Sequence, residues 1–286
     1  MLDLTITQAQ FEHVLPVFQS PTEHLFERLA HEISVATNTV HDLVGDYADN
    51  SDHIDRISDY AITYICATAA RRTLPQLDLV LTETGFGVVG NGNLVPASQA
   101  RVTALNDSLR QQASQAWDNL LHTLLSTPWC ESDAAVAHVS SLVWLPMHCR
   151  RYGITASKEV GIRISQMPVY DEEFDALRSA LAEAEAKVAT MISPELYAYL
   201  IERERTSQGE QTTAAALLIE RSRRLIGALM KEDTYPRSVA PLAKRLLETV
   251  EEYRNVLPVY TASSTYQARQ MPAYENKKED SAFFFS

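Results

Sequence analysis

Apolar residues recur at spacings of three and four through most of this chain, and that period constrains the fold more than any other feature. In an α-helix it gathers side chains onto one face. Leu25, Leu29, Ile33, Ala36, Val40 and Leu43 form one such stripe. Ile54, Ile57, Ala61, Ile65, Thr68 and Leu79 form a second, and Val102, Leu105, Leu109, Ala113, Ala116, Leu120 and Leu124 a third. Further along, Phe174, Leu177, Leu181, Ala184, Val188 and Met191 keep the same spacing, as do Leu242, Leu246, Val250, Tyr253 and Leu257. Each stripe has to be covered by another, which predicts a mainly all-α fold of two antiparallel helical bundles. Only nine of the 286 residues are glycine, which favours helix over sheet.

Capping and breaking residues divide the pattern. Ser20, Pro21 and Glu23 read as a capping box opening a helix to about residue 47. A polar break at 46–52 precedes a helix over 53–81, which Pro75 should kink or interrupt. A third helix runs from Pro96 and Ser98 to about 125. Residues 133–145 read as a short helix broken at Pro146, with a strand or a buried loop as the alternatives. Residues 154–169, where Ile162 and Ile164 alternate with polar neighbours, read as a strand or a connector, and the domain boundary is placed there. Leu2, Leu4 and Ile6 alternate with polar residues and predict a short extended arm. The expected organisation is therefore a helical bundle at 1–165, a second at 166–260, and a mobile tail at 261–286. The halves share an outline of long helix, Arg-bearing helix and third helix. An internally duplicated three-helix unit and two generic helical bundles both produce it.

Composition narrows the function classes. The formal net charge of −12 argues against a protein that grips nucleic acid through phosphates, so no sequence-specific nucleic-acid binding is expected. No apolar run reaches the length of a membrane span, and the start lacks the basic and apolar regions of a signal peptide. Cys66, Cys130 and Cys149 are odd in number and lack CxxC spacing, which suits a reducing compartment.

Chemical motifs are few. Residues 82–96 hold Gly85, Gly87, Gly90 and Gly92, and Gly85-x-Gly87-x-x-Gly90 matches a dinucleotide fingerprint. The stretch lacks the Lys-Ser/Thr of a phosphate loop and has no strand–helix unit around it, so a shaped, irregular loop is the expectation and no cofactor is assigned. His24, His31 and His41, and His138 and His148 with Cys130 and Cys149, have no metal-ligand spacing. The acidic run 171–173 is what a helix dipole favours at an N-terminus. Arg71–Arg72, Arg150–Arg151 and Arg221, Arg223 and Arg224 read either as solvated faces paired with carboxylates or as subunit contacts. Phe283, Phe284 and Phe285 follow a polar stretch, and three adjacent aromatics there call for a docking surface.

TETGFGVVGNGNLVPASQARV, at 82–102, resembles the hallmark of a phage and prophage family of gut anaerobes. Thr84, Gly85, Phe86, Gly87, Val88, Val89, Pro96, Ala97, Ser98, Arg101 and Val102 carry the likeness, and ISPELYAYL at 192–200 resembles a weaker second block. The resemblance implies a non-enzymatic virion part, a head–tail connector or head-completion adaptor of helical build. Its partners would be portal and tail proteins and further copies of itself. It would be made in the bacterial cytoplasm and end in the virion. Phe86, Val88, Val89, Arg101, Phe283, Phe284 and Phe285 are the interaction residues expected on this reading. A regulatory or scaffolding helical protein that binds a host partner, and an enzyme with a site at 129–152, are the alternatives. Convergence of His138 and His148 on one polar pocket would favour the last.

Overall fold

The computed structural model describes residues 4–18, 24–45, 53–77, 79–82, 85–88, 98–160, 163–206, 212–231 and 238–270. The fold is all-α, with two short hairpins. Leu4 and Ile6 are buried between exposed Thr5 and Thr7, the alternation expected of an extended arm. Thr7 then caps α1 (Gln8–Val14) through a box with Gln10. In the first layer α3 (Ile54–Leu77) packs between α2 (His24–Val44) and α4 (Gln99–Leu124). Leu29, Val40, Ile57, Ile65, Leu120 and Leu124 bury their stripes against one another. Trp129, in the 3-10 turn Pro128–Glu131, is fully buried there. Its Nε1 donates to the Leu43 carbonyl at 2.8 Å, one of the acceptors that the end of α2 leaves without an intrahelical donor.

The helix expected over 53–81 ends earlier, and Leu79 lies in a strand. Pro75, inside α3, has no N–H to continue the ladder. The run Leu79–Thr82 that follows is rich in strand-favouring residues and forms β1. It pairs antiparallel with β2 (Gly85–Val88) in the register Leu79↔Val88, Val80↔Gly87, Leu81↔Phe86 and Thr82↔Gly85. The stretch read as an irregular loop is thus in part a β-hairpin between α3 and α4.

Pro146 was expected to break a helix and instead opens one. α5 (Asp133–His138) stops short, and α6 (Pro146–Arg151) begins with Pro in its first turn, where a missing N–H costs no intrahelical bond. A second hairpin follows, β3 (Ala156–Val160) with β4 (Arg163–Met167). The strand reading of this segment is the one observed; Ile162 lies outside the described residues.

In the second layer α7 (Asp171–Ile192) touches α8 (Pro194–Thr206), α9 (Thr213–Leu229) and α10 (Val239–Glu252), and α9 pairs with α10. The layers therefore pack differently, three long helices around α3 and four around α7. Buried residues fall into two apolar clusters that interlock at 142–145. Leu142 and Val143 enter the second cluster, and Trp144 and Leu145 the first.

Residues 261–270, placed in the tail by the sequence, are largely helical and tethered at a few points. Pro258 opens α11 (Pro258–Thr261), and α12 (Ser264–Gln270) follows. Arg269 donates to the Met191 carbonyl at 2.6 Å and to the buried Tyr260 hydroxyl at 2.8 Å. The tail beyond 270 lies outside the described residues.

Candidate functional site

The segment 139–145 joins α5 to α6: Val139 N–H still closes α5 on Ala135 and the Leu145 carbonyl accepts from His148 N–H, but the stretch between is not helical. Side chains from three helices of the second layer supply the partners. From α7, Glu185 Oε1 accepts from Ser141 Oγ at 2.8 Å and from the Val143 N–H at 3.3 Å. From α9, Arg223 Nε donates to the Leu142 carbonyl at 2.7 Å, and Nη2 donates to Glu204 of α8 at 2.5 Å. Trp144 Nε1 reaches the same Glu204 oxygen at 3.4 Å. Arg223 and Glu204 are both buried, so the pair is shielded from solvent. Arg205 Nη1 donates to the Cys130 carbonyl at 2.7 Å and ties the preceding turn to α8.

His148 is buried with its ring edge-on to Trp144, centroids 5.7 Å apart. Burial, with the Arg223 charge acting in the same direction, holds its pKa well below the usual imidazole range, so the ring is neutral at pH 7. Its Nδ1 faces the Leu145 N–H at 3.4 Å. Burial also pushes the Cys149 and Cys66 thiols up to about 12, and both stay protonated near neutrality. His138 lines a cavity of about 380 Å³ with Ser140, Ser141, Trp144, Arg178 and Glu185. His148 does not line it. The two histidines thus do not converge on one pocket, and the polar groups around 139–145 are engaged with its backbone and with one another.

A second cluster joins the layers beside this segment. Arg110, Ser114 and Asp118 sit four residues apart on α4 and form a polar stripe next to its apolar seam. Arg110 Nη2 bonds Glu173 at 2.7 Å, Ser114 Oγ lies 3.4 Å from Asp171, and buried Asp118 takes Arg150 of α6 at 2.7 Å. Arg150 also donates to the Val169 carbonyl at 2.7 Å. The guanidinium carbons of Arg110 and Arg150 lie 4.7 and 5.4 Å from the centre of the Tyr170 ring. Arg71 of α3 holds Glu172 at 2.8 Å, and that hydrogen bond lowers the Glu172 pKa. The acidic run 171–173 therefore serves two roles. Glu173 accepts from the Tyr170 N–H at 3.1 Å at the start of α7, and the run meets the arginines of the first layer.

Of the expected interaction residues, Phe86 and Val88 lie in β2, opposite Leu81 and Leu79. Arg101 is exposed in the first turn of α4. Val89, Phe283, Phe284 and Phe285 lie outside the described residues. The arginine clusters are mostly paired: Arg72 with Glu32 at 3.7 Å, Arg224 with Glu220 at 2.9 Å, and Arg150 and Arg223 with buried carboxylates. Sequence reasoning missed Asp118, Glu185 and Glu204. For Asp118 the spacing-of-four stripe was the available signal; a lone Glu on a helix face offered none. Among the described residues no three His, Cys, Asp or Glu side chains gather as a metal site, and no helix is long and apolar enough to cross a membrane.

Residues 17–136, from just after α1 through α4 and most of α5, match the model of a family of unknown function, DUF6712. The match covers less than half of the chain and includes the β1–β2 hairpin. No curated protein and no solved structure matches the chain.

Proposed function

We propose that the protein is a non-enzymatic structural component of a phage or prophage virion, a head–tail connector or head-completion adaptor that works through protein–protein contacts. The observation that carries this reading is the segment at 82–102, whose TGFGVV and PASQARV blocks resemble the phage family. Those blocks include β2 and the start of α4, and on this reading a signature concentrated there is a contact surface on a helical frame. The buried polar clusters support the reading from another side. Their hydrogen bonds fasten layer to layer and loop to helix, as a part that transmits mechanical load requires.

In this role the hairpin, with Phe86 and Val88, meets an adjacent subunit or the portal together with Val89 and Arg101, which follow it in sequence. The flanking genes test the proposal. Portal, capsid or tail genes beside this one are expected; a locus without any of them would remove the basis for the reading and leave the host-partner alternative in its place.

A further inference from the structure

Two hollows in the second layer meet at Lys231. One, of about 580 Å³, is lined by Arg151, Tyr152, Glu220, Arg224, Lys231 and Leu242 among others. The other, of about 680 Å³, lies between the β3–β4 hairpin and α7; Met167, Ala176, Leu177, Ala180 and Met230 form its apolar wall, and Ser157, Gln166, Glu172 and Glu173 also line it, the two carboxylates being held by Arg71 and Arg110. The first is basic in a chain of formal net charge −12. Arg151, Arg224 and Lys231 face it against one carboxylate, Glu220, which is already engaged by Arg224 at 2.9 Å and by the Tyr152 hydroxyl. Arg151 lies over the Tyr152 ring, 5.7 Å from its centre.

The backbone is shaped to keep Lys231 at the junction. Gly153 has φ +71°, and a Cβ there would come 3.1 Å from Lys231 Nζ. Gly227 lets α9 approach so closely that a Cβ would stand 2.9 Å from the Tyr152 carbonyl oxygen. The result is a cationic trough beside one with an apolar wall, whose carboxylates are already engaged by arginines. A simple anion would use only the first half, and an apolar helix only the second. The matching ligand is a short peptide with acidic residues a few positions from large apolar ones.

This chain carries such a peptide. Residues 279–285 read Glu-Asp-Ser-Ala-Phe-Phe-Phe. We infer that the segment 279–285 docks in this double trough, Glu279 and Asp280 against Arg151 and Lys231, and the phenylalanines against Leu177, Ala180 and Met230. The segment offers one acidic pair and one aromatic triplet to one cationic hollow and one with an apolar wall. Length is sufficient. Arg269 of α12 is anchored at the Met191 carbonyl. From there back along α7 to Leu177 is about 21 Å at 1.5 Å per residue. The dozen residues between 270 and the phenylalanines span up to about 40 Å when extended. The pairing stands without the virion reading, because groove and ligand belong to the same chain.

The test uses a fluorescent peptide of residues 276–286 titrated against the full chain carrying F283A, F284A and F285A, so that the chain's own segment does not compete. Saturable binding is expected. An R151E/K231E version, with unchanged helicity and melting, should bind at least tenfold more weakly, and so should a peptide with the three phenylalanines replaced by alanine. A peptide carrying E279K and D280K should recover binding on the R151E/K231E chain. The inference is overturned if the peptide does not bind, if charge reversal leaves its affinity unchanged, or if millimolar phosphate displaces it while the alanine peptide binds as well as the native one.

Discussion

At the scale of single residues, two positions carry costs that the surrounding structure offsets. Ser193, between α7 and α8, has φ 145°, a conformation that L side chains rarely adopt. It is retained because its Oγ accepts from the Leu196 N–H at 3.0 Å and so caps α8. The opposing terms predict an order. Ser193→Gly relieves the backbone at a cost of a few tenths of a kcal/mol in capping and should stabilise by about 1 kcal/mol. Ser193→Ala keeps the strain, loses the cap and should destabilise by about 1 kcal/mol. Urea unfolding of the three proteins checks it; alanine more stable than glycine would contradict this view of the junction. Asp118 is the second position. Burial pushes its carboxyl up to about 7 against the opposing pull of Arg150. A carboxyl raised on folding contributes stability that is full below the unfolded pKa of about 4 and is lost as pH rises through the folded value. The stability of wild type relative to Asp118→Asn should therefore fall between about pH 4 and pH 7 and level off above. The comparison removes the contribution of His148, common to both proteins, whose depressed pKa acts the other way and costs stability below about pH 6.5. A difference that is flat over that range would mean that Asp118 is ionised throughout.

At the scale of elements, the long helices were legible because their stripes are periodic over many turns. The elements that were not legible share a physical cause. α11 and α12 are too short to show a stripe, and their anchors are a single buried ring, Tyr260, and the hydrogen bonds of Arg269. The β1–β2 hairpin follows a helix whose apolar pattern continues to Leu79, and since α3 passes through Pro75 to Leu77, the proline does not mark where the helix gives way to the strand. The loop at 139–145 is held by residues 40 or more positions away, and sequence spacing carries no record of such a partner. That loop supplies the next prediction. Glu204→Gln leaves the Arg223 charge buried without its counter-ion and should cost about 3–5 kcal/mol. Replacing both residues with apolar ones of similar size should cost clearly less, because no charge is then stranded. A double-mutant cycle by denaturant unfolding measures this, and equal losses in the single and double variants would show that the pair does not act as a unit.

At the scale of the whole molecule, two helical layers are locked by arginine–carboxylate contacts along α4, α6 and α7 and by a loop threaded between their cores. The groups that titrate abnormally within this lock, His148, Cys149 and Asp118, are buried among packing and hydrogen-bonding partners. The proposed contact surfaces are the hairpin between α3 and α4 and the double trough at Lys231. The proposed virion role requires the protein to act by fitting between other proteins. Quantitative mass spectrometry of purified, DNA-filled particles from the producing strain measures that most directly. The account predicts the protein in those particles at a fixed ratio to the portal, retained through gradient purification. Its absence from particles while it is abundant in the same lysate would contradict a virion role.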